Sequence, residues 1–113
     1  MSPETANPIL VLMTAASGEE ATRLADMLVE ANLAACVQIL PQMESVYRWK
    51  GKIERQAEVL LIVKTLSSRF ADLERRVREI HSYDTPEIVA ISASALSTPY
   101  REWLVDTLDS SER

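Results

Sequence analysis

Four extended segments stand out in the hydrophobic pattern of the chain. Residues 9–13 form a continuous apolar run, which is typical of a strand covered on both faces. Residues 34–49 and 53–65 predict two long strands, and residues 87–92 predict a fourth. Turn-forming or helical segments separate all four of these runs.

Apolar residues at helical spacing predict a first helix over about residues 18–31. Ser17 and Glu20 form a capping-box pattern at its start, in which the serine caps the helix and the glutamate reaches back. Asn32 can end the helix because asparagine tolerates the left-handed conformation.

Two further helices follow the long strands. Ser67 or Ser68 can cap the second helix, and Thr98 followed by proline is typical of the start of the third. The expected apolar stripes are Phe70, Leu73, Val77 and Ile80 in the second helix, and Tyr100, Trp103, Leu104 and Leu108 in the third.

The predicted order is β-α-β-β-α-β followed by a terminal helix. This order indicates an α+β, ferredoxin-like fold, with an antiparallel sheet and two helices on one of its faces. A single domain over residues 9–108 is expected, with a flexible tail at residues 1–8 and a second tail at 109–113.

The two long strands predict a hairpin that projects beyond the domain. Gly51 supplies its turn, and Pro41 requires that the first arm be an edge strand or carry a bulge. From Cys36 to Trp49 this arm would span about 46 Å at ~3.3 Å per residue. Typical strands have about five or six residues, so a compact small sheet cannot contain the whole hairpin.

The second arm is apolar on both faces. Alternation along residues 58–65 places Val59, Leu61 and Val63 on one face of the sheet. Leu60 and Ile62 fall on the other face. Because the helices suffice to cover one face, we expect copies of the chain to assemble with their sheets in contact, under closed symmetry.

Composition narrows the class of protein. The chain has 113 residues, a formal charge of −5 and one cysteine. Nucleic acid and anionic membranes need clustered positive charge, so neither is an expected partner. The lone cysteine cannot form an intrachain disulfide, and no run approaches the ~20 apolar residues of a membrane span. The start is polar and acidic, unlike a signal peptide, so a cytoplasmic protein is expected.

An ordered series of motifs resembles the CutA family, the divalent-cation tolerance group. The matching stretches are LAACVQILP (33–41), SVYRWKGKIE (45–54), EVLLIVKT (58–65) and HSYDTPEIVAI (81–91), with TAASGEEA (14–21) and YREWL (100–104) also where expected. The resemblance implies a ferredoxin-like fold, a tightly packed homotrimer and a cytoplasmic bacterial protein. It also implies involvement in tolerance of copper and other divalent metals.

His81 is the strongest candidate metal ligand, because neutral imidazole suits copper, zinc and nickel. The alternative is a histidine that closes a helix C-terminus. Asp84 and Glu87 could supply oxygen ligands, or they could cap the turn or pair with lysine. Cys36 would suit copper(I), although its apolar setting favours packing.

The resemblance is incomplete at these positions. Some relatives carry a cysteine where Met13 stands and a second histidine where Ile80 stands. Ser82 replaces a proline, and Asp84 stands at an acidic or amide position. A closed metal site needs about four ligands. We therefore expect weak or shared binding of copper or another divalent cation, and no obligatory cofactor.

A second group of residues could line a cleft. Aromatic side chains beside lysines and a carboxylate could hold a small anion or metabolite, although tyrosine and tryptophan are also favoured at protein contacts. The group comprises Tyr47, Trp49, Lys52, Glu58, Lys64 and Tyr83.

Conventional enzyme signatures are missing from the sequence. Its two glycines, Gly18 and Gly51, cannot form a glycine-rich phosphate loop, and no serine lies in a nucleophile-elbow motif. A non-catalytic protein is expected. Two hypotheses follow: a trimer that binds divalent metal weakly, or a trimeric sensor or scaffold that holds a small ligand between subunits, by analogy with nitrogen-regulatory trimers.

Overall fold

A computed structural model describes residues 7–109. Residues 1–6 and 110–113, which hold most of the two expected tails, lie outside the described part. Pro8 already belongs to the first strand, and Asp109 still belongs to the last helix. The elements are β1 (Pro8–Ala15), α1 (Gly18–Glu30), β2 (Cys36–Trp49), β3 (Lys52–Leu66), α2 (Phe70–Ile80), β4 (Ile88–Ser92) and α3 (Thr98–Asp109).

These elements form an α+β fold with one antiparallel four-stranded sheet in the order β2-β3-β1-β4. The predicted order of elements is therefore confirmed. None of the helices in the described range is long and apolar enough to cross a membrane.

Both ends of α1 follow from its local sequence. The Ser17 hydroxyl accepts a hydrogen bond from the Glu20 N–H at 3.1 Å, as a helix cap does. After Glu30 the chain turns through Asn32, whose φ is 58°. The N–H of Leu33 then donates to the carbonyl of Leu28, which is the closing bond of a Schellman motif. The predicted stop at Asn32 is confirmed.

The predictions for α2 and α3 are correct in part. A short 3-10 turn, Ser67–Arg69, precedes α2, and Arg69 at the N-cap position makes no side-chain cap. The expected serine cap of α2 is therefore wrong. The apolar spacing predicts buried positions for Ile80 and Trp103, but these residues are 49% and 44% exposed. Each lies at the edge of the helix face that packs on the rest of the chain, so its side chain stays partly exposed.

The main core lies between the sheet and the helices α1 and α2. On β3, alternate residues point into it, and Leu61 and Val63 are fully buried. Met13 of β1 is buried beside them, as its place in an apolar run suggested. The core is completed by Leu24 and Leu28 of α1 and by Leu73 and Val77 of α2.

The hairpin of β2 and β3 gives the molecule its long axis, in overall dimensions of 45 × 27 × 22 Å. Lys50 and Gly51 form the turn with φ values of 51° and 81°, both in the left-handed region that a two-residue hairpin turn requires. β2 is an edge strand, and its register shifts between Leu40 and Met43, where Pro41 lies. The prediction for Pro41 is confirmed on both counts.

The second face of the sheet remains largely open. At its far end α3 packs on Leu66 through Leu104 and Leu108, so a third helix covers part of this face. Elsewhere the face carries apolar side chains without a helix above them. On β2 and β4 these side chains are about half exposed: Leu40 at 46%, Val89 at 48% and Ile91 at 45%.

Candidate functional site

A groove of about 590 Å³ lies where the hairpin leaves the sheet, bounded on one side by the turn between α2 and β4. We call it the hairpin groove. β2, β3 and the turn each contribute to its walls, together with Thr14 of β1. Its principal side chains are three aromatic rings and three carboxylates: Tyr47, Trp49, Tyr83, Glu58, Asp84 and Glu87.

A chain of hydrogen bonds runs through this groove in one direction. The Tyr47 hydroxyl donates to Gln56 Oε1 at 2.8 Å, and Gln56 Nε2 donates to the Tyr83 hydroxyl at 3.1 Å. The Tyr83 hydroxyl in turn donates to Glu58 Oε2 at 2.7 Å. The chain ends on a carboxylate that is 7% exposed, so it ties both hairpin arms to the turn.

Tyr83 is held as a neutral phenol by its surroundings. Burial raises its pKa above the ordinary value, and the hydrogen bond to Glu58 and the negative charge of that carboxylate raise it further. Because an ionised tyrosine would face Glu58 as a second anion, Tyr83 serves here as a hydrogen-bond donor.

His81 closes α2 and is buried beneath the turn, with a side-chain exposure of 0%. Its Nε2 lies 2.8 Å from the carbonyl oxygen of Thr14, which can only accept. Its Nδ1 accepts a hydrogen bond from the Tyr83 N–H at 3.0 Å. These two partners fix a neutral ring with the proton on Nε2. Both ring nitrogens are therefore engaged within the chain.

Glu20 is a buried carboxylate that joins α1 to this turn. Its Oε2 accepts from the Ser82 N–H at 2.7 Å, and its Oε1 accepts from the Ser82 hydroxyl and the Ala16 N–H, both at 3.0 Å. The residue is 4% exposed and lies 3.6 Å from His81 Nδ1. Sequence reasoning assigned Glu20 to capping alone, because its distant partner Ser82 has no signal in the local pattern.

Two opposing effects act on the pKa of Glu20. Burial raises it, but hydrogen bonds from Ala16 and Ser82 favour the charged form, and the net result is a pKa below the ordinary value. Glu20 therefore remains ionised as a structural anchor for the turn that carries Tyr83 and Asp84.

The structure separates the predicted cleft residues into two groups. Tyr47, Trp49, Glu58 and Tyr83 line the hairpin groove, together with Gln56, which the sequence did not indicate. The two predicted lysines lie elsewhere. Lys52 is the cross-strand partner of Trp49 beside the hairpin turn. Lys64 places its Nζ 5.5 Å from the ring centroid of Tyr100 on α3.

The predicted metal ligands are also dispersed. His81 is buried, whereas Asp84 and Glu87 line the groove. Cys36 is half-buried and lies opposite Lys64 near the start of β2. Within residues 7–109, no three side chains of the His, Cys, Asp or Glu type are grouped to hold a metal ion. Metal binding by these residues remains a prediction.

The family model of the CutA1 divalent ion tolerance proteins matches residues 9–107. The chain belongs to this family.

Its relatives in the family extend from bacteria to plants. The divalent-cation tolerance protein CutA of Thermus thermophilus is 44% identical over 84% of this chain and 92% of its own length. The chloroplastic protein CutA of Arabidopsis thaliana is 42% identical over 91% of this chain, which spans 57% of that longer relative. The structure of the periplasmic divalent cation tolerance protein CutA from Archaeoglobus fulgidus superimposes with a TM-score of 0.86. It is 40% identical, and the match covers 89% of this chain and 98% of that one.

Proposed function

We propose that this chain acts in divalent-cation tolerance as a non-catalytic, cytoplasmic homotrimer with a ferredoxin-like fold. Membership of the CutA1 family supports the role in tolerance. The strand order β2-β3-β1-β4, with α1 and α2 on one face, favours the ferredoxin-like description. The relatives named above include a chloroplastic and a periplasmic protein, and the cytoplasmic location is proposed from the sequence composition and the family resemblance.

The open second face of the sheet is the main observation that supports assembly of several copies of the chain. Leu40, Val89 and Ile91 are each close to half exposed, although strands normally bury such side chains. Contiguous apolar surface of this kind marks a site of protein contact. Copies of the same chain are the partners proposed here, and the trimer is the state that the family resemblance implies.

Metal binding is proposed to be weak and confined to the groove carboxylates. Metal coordination by His81 would have to replace its hydrogen bond to Thr14 or to Tyr83 and expose a buried ring. Asp84 and Glu87 are accessible, but two oxygen donors fall short of a complete coordination shell. Copper or another divalent cation would therefore exchange readily.

Titration calorimetry with copper(II) tests this proposal. The double variant Asp84→Asn, Glu87→Gln should lose most of the weak heat signal. A matched double variant of two exposed acids outside the groove, Asp26→Asn and Glu30→Gln, should keep it. Equal binding by both variants would remove the groove carboxylates from the metal site. A signal that disappears in Cys36→Ser instead would move the site to β2.

A second candidate function is the capture of a small ligand in the hairpin groove. The directed hydrogen-bond chain from Tyr47 to Glu58 favours it, because a groove with fixed polar atoms and aromatic walls has the character of a binding site. Mass spectrometry of metabolites released from the purified protein tests this candidate. We expect one compound to be enriched with the wild type and lost in Glu58→Gln.

A further inference from the structure

The hairpin groove carries uncompensated negative charge. Glu58, Asp84 and Glu87 face it, and among residues 7–109 no lysine or arginine lines it. None of the three carboxylates forms an ion pair with a lysine, arginine or histidine in the part of the chain that the structure describes. Carboxylates elsewhere do find such partners, as Glu44 does with Arg55 at 3.1 Å. An anionic ligand would be repelled by the groove.

The aromatic walls add a second attraction for positive charge. The faces of Trp49, Tyr47 and Tyr83 are electron-rich and attract cations that lie above them. Trp49 is 53% exposed, and the ammonium group of Lys50 already lies 6.0 Å from its ring centroid. An ammonium group can lie against this tryptophan, and a ligand cation would displace Lys50 or use the other face of the ring.

We propose that the hairpin groove binds a small organic cation that carries an ammonium head group. This proposal rests on the second candidate function and specifies the class of its ligand. The positive head group lies between the aromatic rings and the carboxylates, and Glu58 is the carboxylate deepest in the wall. Lys64 lies beneath α3, and Lys52 lies opposite Trp49 on the neighbouring strand but outside the lining of the groove.

The hydrogen-bond chain prepares the groove for such a ligand. Tyr83 is held by Glu58 at its hydroxyl and by His81 at its N–H, so its ring is fixed before any ligand arrives. Tyr47 is oriented by a single exposed hydrogen bond from its hydroxyl to Gln56. A cation that enters meets two oriented tyrosine rings, which reduces the side-chain freedom lost on binding.

Calorimetry with choline as the probe tests the proposal on the assembled wild-type protein, with EDTA present to remove metals. The matched ligand is the uncharged carbon isostere of choline, in which a tert-butyl group replaces the trimethylammonium group. Choline should bind and the isostere should bind at least about tenfold more weakly, because the shape is shared and the charge is not.

Matched variants test whether choline binds in the hairpin groove. Glu58→Gln keeps the shape of the side chain and should weaken choline binding about five- to tenfold, and Trp49→Leu should weaken it similarly. Glu30→Gln removes one exposed carboxylate outside the groove and should leave affinity unchanged. Thermal melting of each variant confirms folding. An equal loss in Glu30→Gln would assign the effect to net charge and overturn the site.

The remaining outcomes separate this proposal from the function on which it rests. If choline and its isostere bind equally, the preference for a cation is wrong. If choline does not bind while a neutral or anionic metabolite co-purifies and is lost in Glu58→Gln, the groove is a ligand site of another class. If neither choline nor any co-purified compound binds, both the cation proposal and the ligand function fail.

Discussion

The two halves of β3 have opposite surroundings although they belong to one continuous strand. In residues 59–66 the side chains facing α1 and α2 are buried, and Leu61 and Val63 are fully so. In residues 52–57 no helix lies above the strand, and Ile53 is 60% exposed. Hydrophobic residues are present in both halves, but the chain covers only the first. A second copy of the chain could cover Ile53 as well as the open second face of the sheet.

The largest expected effect comes from a charge placed on the open face. Ile91→Lys on β4 should abolish assembly, because a lysine in an apolar contact must lose its hydration without a partner. Val29→Lys is a matched control, since Val29 is 44% exposed and Ile91 45%, but Val29 lies on α1. Light scattering after size exclusion measures both masses. Assembly that survives Ile91→Lys would contradict the proposed contact surface.

A core truncation in the covered half has the next largest effect. Leu61→Ala should lower the free energy of unfolding by about 2–5 kcal/mol, as cavities in packed cores do. Ile53→Ala, in the uncovered half of the same strand, should cost less than about 1 kcal/mol at dilutions where the chains are separate. Urea denaturation measures both. A cost for Ile53→Ala that grows with protein concentration would show that the arm is buried in the assembly.

Glu20→Gln should have an intermediate effect that depends on pH. The pKa of Glu20 is lowered in the folded state, so its carboxylate stabilises the fold fully above the ordinary value of 4.5. That stabilisation is lost as the pH falls through the lowered pKa. The variant should be less stable than the wild type by about 1–3 kcal/mol at neutral pH.

Denaturation curves at several pH values measure this difference. It should narrow steadily below pH 4.5, because Glu20 takes up its proton first in the unfolded chain and, at lower pH, in the folded one. Glu19→Gln is a suitable control, because Glu19 is the exposed neighbour of Glu20 on the same helix turn. A difference that stays constant down to the acid transition would show that Glu20 acts through packing rather than charge.

The smallest effect is expected at the ion pair on the hairpin arms. Arg55 and Glu44 are 3.1 Å apart, but their side chains are 65% and 60% exposed. Exposed pairs contribute about 0–1 kcal/mol, so Arg55→Gln should barely change the urea midpoint of separated chains. A larger loss confined to the assembled protein would place this pair inside a subunit contact.

Much of the fold was predictable because its signals are local. The strand over residues 58–65, the turn at Gly51 and the end of α1 at Asn32 each depend on nearby residues, and each is confirmed. The predictions fail where tertiary packing, rather than the local sequence, determines which side chains are buried. Ile80 falls at the apolar spacing of α2, but the sheet covers a narrower face of the helix than this spacing predicts. Its side chain is therefore 49% exposed.

The site was less predictable because its contacts are distant in sequence. Tyr47, Trp49, Glu58 and Tyr83 do line one groove, because the strand pairing and the turn that bring them together have local signals. The buried bond between Glu20 and Ser82 spans 62 positions, and no period or motif reports it. The exclusion of Lys64 depends on the position of α3, which strand alternation does not reveal.

Assembly of the open sheet face is the central claim, and sedimentation equilibrium of the wild-type chain tests it most directly. At micromolar concentration we expect a mass close to three times the 12.7 kDa of one chain. A stably folded single chain of 12.7 kDa under the same conditions would contradict the account.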